Sequence, residues 1–106
     1  MTTTTRAPGH LAAPTRAWFR AVLADYELES HHVKLLESAA ACWDRAEEAR
    51  ATICAAGPYY TDARGVKRAH PAIGVKLANR NQFSRLIRAL GLDIEPPRAP
   101  GRPGGR

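Results

Sequence analysis

The chain has 106 residues and a formal net charge of +6, enough for one domain whose core is small for its surface. No run approaches the ~20 apolar residues of a membrane helix, and the first residues lack an apolar signal core, so neither a membrane span nor a cleaved leader is expected. The positive excess is local: residues 58–106 carry ten basic and three acidic groups, whereas residues 1–57 carry six and seven. A polyanion, nucleic acid first, is the natural partner of so concentrated a charge.

Residues 1–10 are Thr-rich and lack apolar periodicity, and are expected to form an unordered arm. A domain over 11–95 follows. The first predicted helix runs from about Pro14 to Tyr26, with proline suited to the opening turn and Trp18, Val22 and Tyr26 at four-residue spacing. Asp25, Glu27 and Glu29 oppose the macrodipole at its end and stop it there.

The second predicted helix, about 31–56, is framed by Ser30 as N-cap and Gly57 beyond its C-terminus. Leu35, Ala39, Cys42, Ala46, Ala49, Ile53 and Ala56 keep an unbroken 4-3 spacing, and Leu36, Ala40 and Trp43 mark a second stripe beside it. At ~1.5 Å per residue the helix is about 39 Å long, longer than the roughly 30 Å diameter of a compact globule of this size. Leu35, Ala39, Cys42, Trp43, Ala46, Ala49 and Ile53 are therefore the expected interface with further copies of the chain. The plainer alternative is a helix packed only on its own neighbours. Cys42 and Cys54 lie about 18 Å apart on this helix, too far for a disulfide, and read as reduced thiols of a cytoplasmic protein.

Two short strands, Pro58 to Thr61 and Val66 to Arg68, flank Asp62-Ala63-Arg64-Gly65, whose Asp and Gly suit a type I turn with a bulge. A third helix then runs from about Ala72 to Leu90, ending at Gly91, with Ile73, Leu77, Phe83, Leu86, Ile87 and Leu90 as its core face. The expected fold is mainly α: three helices, one long and central, with a β-hairpin between the second and third. Residues 96–106, rich in Pro, Arg and Gly, are expected to stay unordered. They suit a nucleic-acid arm, a docking peptide or a solubilising end equally well.

Signatures of chemistry are absent. No phosphate-binding Gly-x-x-x-x-Gly-Lys, CxxC or HExxH occurs, so neither a cofactor nor a metal is expected. Asp44, Glu47 and Glu48 read as surface ion-pair partners of Arg45 and Arg50, not as converging acids, and the chain is not expected to be an enzyme. Arg64, Lys67, Arg68, His70, Lys76 and Arg80 form the candidate DNA-binding strip, through sequence-independent phosphate contacts. His70 suits a helix cap as well as a phosphate contact. Tyr59 and Tyr60 can stack on bases, although packing beneath the hairpin is their commoner use.

The ordered set His10-Leu11, Thr15-Arg16-Ala17-Trp18-Phe19-Arg20, Tyr26-Glu27-Leu28-Glu29-Ser30-His31-His32, Leu35-Leu36-Glu37, Ala41-Cys42-Trp43-Asp44-Arg45-Ala46, Asp62-x-Arg64-Gly65, Lys67-x-x-His70-Pro71-Ala72 and Phe83 through Leu92 resembles the small terminase subunits of bacteriophages over about residues 10–98. The resemblance implies a non-catalytic subunit that forms a homo-oligomeric ring and binds viral double-stranded DNA in the cytoplasm of the bacterial host. It also implies regulation of a large terminase subunit that carries the ATPase and nuclease. No stretch of the sequence reads as the distinct N-terminal DNA-reading module of some such proteins, so sequence-specific recognition is not expected. Two other readings stay open: a small dimeric DNA-binding transcriptional regulator, and a helical protein-binding adaptor.

Overall fold

The computed structural model describes residues 6–97; the expectations for residues 1–5 and 98–106 fall outside the described residues. Its elements are α1 (Ala13–Asp25), α2 (Ser30–Ala56), β1 (Tyr59–Thr61), β2 (Lys67–Ala69) and α3 (Pro71–Leu90). The chain is thus mainly helical with one antiparallel hairpin between the second and third helices, as the sequence predicts.

Helix α1 has no capping side chain of its own at Ala12. Its start is fixed from α2 instead. The Ala12 N–H donates to Asp44 Oδ2 at 2.7 Å and the Thr15 hydroxyl donates to Asp44 Oδ1. A carboxylate beside a helix N-terminus is also favoured by the macrodipole. The helix gives way to extended backbone at Tyr26, within the acidic stretch expected to stop it.

Helix α2 starts at its expected cap, one residue earlier than predicted. Ser30 is already helical, and Glu29 occupies the cap position without a side-chain hydrogen bond. At the other end Gly57, with φ at 86°, turns the chain out of the helix, and Pro58 prevents its resumption. Helix α3 has both ends secured: His70 caps it through Nδ1, Pro71 opens it, and Gly91 closes it in the left-handed conformation.

The core sits at one end of the molecule. Leu11, Phe19, Val22, Leu36, Ala40 and Leu90 are buried together, and Ala7, Trp18, Leu35, Ile87, Leu92 and Ile94 are among those packed around them. From Leu36 to the end of α2 is about 30 Å of helix, and over most of it α3 is the element that covers α2. Ala39, Ala46 and Ala49 are buried and share an arc of α2 with the half-buried Leu35, Cys42 and Ile53. Small side chains there let two helix backbones approach closely. Within the chain, the 4-3 stripe is the seam on which α3 lies. The resulting arm makes the molecule 62 × 29 × 24 Å with a radius of gyration of 16.4 Å, against about 12 Å for a compact domain of this length.

Candidate nucleic-acid interface

The hairpin caps the far end of the arm. Tyr59 pairs with Ala69, Tyr60 with Arg68 and Thr61 with Lys67, and every residue of both strands is exposed. Asp62 organises the turn. Its Oδ1 accepts the N–H groups of Arg64 at 2.9 Å and Val66 at 3.0 Å, and its Oδ2 accepts from Arg68 Nε at 2.6 Å. The Gly65 N–H donates back to the Asp62 carbonyl, and Gly65 takes φ of 80°, the conformation a bulged type I turn requires. The hydrogen bond from Arg68, then that from the Val66 N–H, hold the Asp62 carboxyl below its usual range.

This local order leaves the cations facing solvent. Arg64 is exposed at the tip and makes no ion pair among the described residues. Arg68 spends one of its five donors on Asp62, and 55% of its side chain stays accessible. Lys67 lies 5.0 Å over the Tyr59 ring. Tyr59 and Tyr60 are 55% and 44% exposed, so the expectation that they pack beneath the hairpin is not met. Two strands of three residues have no layer behind them to receive a ring. The aromatics instead stand among the basic groups.

The other residues of the expected strip divide. Lys76 is half-buried on the first turns of α3. His70 accepts the Ala72 N–H at 3.0 Å through Nδ1, which leaves only Nε2 to donate elsewhere. Arg80 belongs to the arm's interior contacts. Its Nη2 meets Glu47 Oε2 at 3.0 Å, and its guanidinium carbon lies 4.7 Å from the centre of the Trp43 ring. Trp43 in turn packs against Phe83 at 5.0 Å. The acidic trio of α2 divides too: Glu47 holds Arg50 and Arg80 together, whereas Asp44 serves the start of α1. Leu77, assigned to the core face of α3, is 60% exposed, and Val75 is 46% exposed. Near the tip α3 has no third element to pack against.

Of the α2 residues expected to meet another copy, Ala39, Ala46 and Ala49 are buried within the chain. Leu35, Cys42, Trp43 and Ile53 keep partial exposure. Burial pushes the Cys42 thiol up, with nearby Arg45 pulling it down, and both cysteines are free. Among the described residues no cluster of three or more His, Cys, Asp or Glu is placed to hold a metal ion, and no helix is long and apolar enough to cross a membrane.

A helical arm thus carries a basic, aromatic hairpin away from the core. The chain belongs to the phage terminase small-subunit family, whose model matches residues 17–98. Membership gives it a role in phage DNA packaging within the host cell, in a family that is generally non-catalytic, and points to DNA and a large terminase subunit as partners. No curated protein and no solved structure matches the chain.

Proposed function

We propose that this chain is a non-catalytic, ring-forming terminase subunit that binds duplex DNA through its hairpin and regulates the large subunit's ATPase and nuclease. The observation that carries the DNA contact is the joint exposure of Arg64, Lys67 and Arg68 with Tyr59 and Tyr60 at the end of the arm. Lys76 extends the strip onto α3, whereas His70 is occupied as the cap of α3 and Arg80 is held on Glu47 and Trp43, outside the DNA contact. A ring presents many hairpins at once, which turns weak phosphate contacts into useful avidity. Leu35, Cys42, Trp43 and Ile53 contribute to the subunit contacts through the surface that α3 leaves open. The fourteen residues between α2 and α3 include a hairpin, unlike the short turn of a helix-turn-helix regulator.

The test is fluorescence anisotropy with a labelled duplex across a salt series, comparing the wild type with the double variant R64A/K67A. The wild type binds more weakly as salt rises, and the double variant binds more weakly at every salt. Its log–log slope is shallower by about 0.9 for each phosphate that no longer meets a cation. Equal affinity and equal slope for the two proteins would remove the hairpin from the DNA contact. Light scattering supplies the companion result: a discrete species several times heavier than a dimer supports the ring, and a clean dimer refutes it.

A further inference from the structure

The hairpin keeps two aromatic rings in solvent where its cations alone would suffice to meet phosphates. Successive residues of a strand face opposite sides, so Tyr59 and Tyr60 stand on different faces of β1. Each has a cation on its own face. Lys67 lies diagonally across from Tyr59, with its ammonium 5.0 Å from the ring centre, and Arg68 sits directly opposite Tyr60. The Tyr60 ring also meets the His70 imidazole edge-on, at 6.4 Å between centroids. The hairpin is therefore a thin blade with a ring and a positive charge on both sides.

The blade is braced before any partner arrives. Asp62 accepts from the Arg64 and Val66 N–H groups and from Arg68 Nε. At the other end the His70 N–H donates to the Pro58 carbonyl at 2.8 Å, which ties the hairpin to the start of α3. The backbone beneath the rings is thus fixed, and little of its freedom remains to be lost on binding.

Intact and opened DNA offer such a blade different things. In a duplex the base faces are covered by their neighbours, and the accessible groups are phosphates and the base edges in the grooves. Phosphates engage Arg64, Lys67 and Arg68 and leave both rings without a stacking partner. An unpaired nucleotide exposes the flat face of its base beside its own phosphate, and so meets ring and cation together. Tyr59 is the more open platform, at 55% exposure against 44% for Tyr60, whose ring rests near His70.

We infer that the hairpin takes unpaired nucleotides of the bound DNA, a base stacking on Tyr59 while Lys67 meets the adjoining phosphate. Tyr60 with Arg68 forms the corresponding pair on the other face. Such DNA narrows the duplex contact proposed above, on which this reading rests, to places where a strand is locally open. Stacking accepts any base, so the hairpin selects the opened form and not a sequence.

The test compares an intact duplex with the same duplex carrying a short single-stranded gap, by fluorescence anisotropy at matched salt. Phosphate contacts alone favour the intact duplex, whose charge density is higher. The wild type instead binds the gapped DNA about ten-fold more tightly. Tyr59→Leu loses most of that preference while keeping its affinity for the intact duplex, and Tyr60→Leu loses less. Tyr59→Phe retains it, because leucine keeps only apolar bulk whereas phenylalanine keeps a ring face. Iodouracil placed in the gap crosslinks to Tyr59 or Tyr60 on irradiation. Equal or weaker binding of the gapped DNA by the wild type overturns the inference, and the duplex contact survives if the intact DNA still binds in a salt-sensitive way. A preference that both leucine variants keep, or crosslinks confined to residues outside the hairpin, overturns it as well. Failure to bind either DNA overturns both readings.

Discussion

The two ends of this molecule are built on different terms. At the base, three helices and the segment after α3 enclose Phe19 and Leu36 at 0% exposure, and polar groups there serve packing: Asp44 seats α1 and Trp18 clasps Glu95. At the tip, two helix ends and a hairpin enclose almost nothing. Among the described residues, the large apolar side chains left exposed, Tyr59, Tyr60, Val66, Val75 and Leu77, all lie there, beside the exposed Arg64, Lys67 and Arg68. Burial decides which residues the fold depends on, and its absence marks the residues released for contact. In a chain this short, one long helix achieves that separation by carrying the contact surface beyond the reach of the core.

The sharpest way to break the comparison is to damage each end in turn. Phe19→Ala leaves a cavity in the base and costs about 3–5 kcal/mol, a large share of the roughly 5–10 kcal/mol typical of a small domain. Urea denaturation should show a collapsed or missing transition. A change under about 1 kcal/mol would mean that the base is not the stabilising unit.

Arg80 and Arg64 test the boundary between the ends. Arg80→Ala loses the stacking on Trp43 and a half-exposed ion pair, which after allowance for solvent screening costs about 1–2 kcal/mol, with DNA affinity unchanged. Arg64→Ala stays within about 0.5 kcal/mol of wild-type stability and weakens DNA binding. Urea midpoints and anisotropy on the same two proteins suffice, and reversed outcomes would place Arg80 in the DNA contact.

The smallest effect is local to the turn. Asp62 has a depressed folded value, so its contribution is present above the carboxyl's unfolded range and lost as pH falls through the folded value. Amide exchange at Arg64 and Val66, whose N–H groups Asp62 holds, should therefore lose protection on acidification below the ordinary carboxylate range. Asp62→Asn, which cannot carry the charge, should show reduced protection at both amides already at neutral pH. Protection indifferent to pH in the wild type would show that backbone pairing alone sets the turn.

Much of this architecture is legible in the sequence because its punctuation is local. Gly57-Pro58, Asp62 with Gly65, His70-Pro71 and Gly91 each specify a chain reversal or helix end through their own conformational preferences. What periodicity cannot supply is the identity of the covering element. The 4-3 stripe of α2 announces an apolar seam, and only the fold shows α3 lying on it. Arg80 carries a charge that reads as surface, yet its planar head stacks on an indole. Asp44 finds its partners about thirty positions away, so no neighbouring residue hints at them. The tyrosines are the converse case: rings read as packing residues stay in water because a three-residue hairpin offers no second layer. The tip cations are identifiable from charge alone, and their division into free and engaged groups is not.

The alanine seam has a kinetic consequence. Its buried members on α2 end at Ala49, and on the opposing α3 only Ala72 is buried before Phe83. Few apolar contacts therefore hold the last turns of the arm together, and opening there exposes little apolar surface. The arm should unzip from the hairpin downward many times for each opening of the base, giving a gradient of amide lifetimes along α2. A surface pressed against the tip can thus be accommodated by a local melt and rewind, with the base undisturbed.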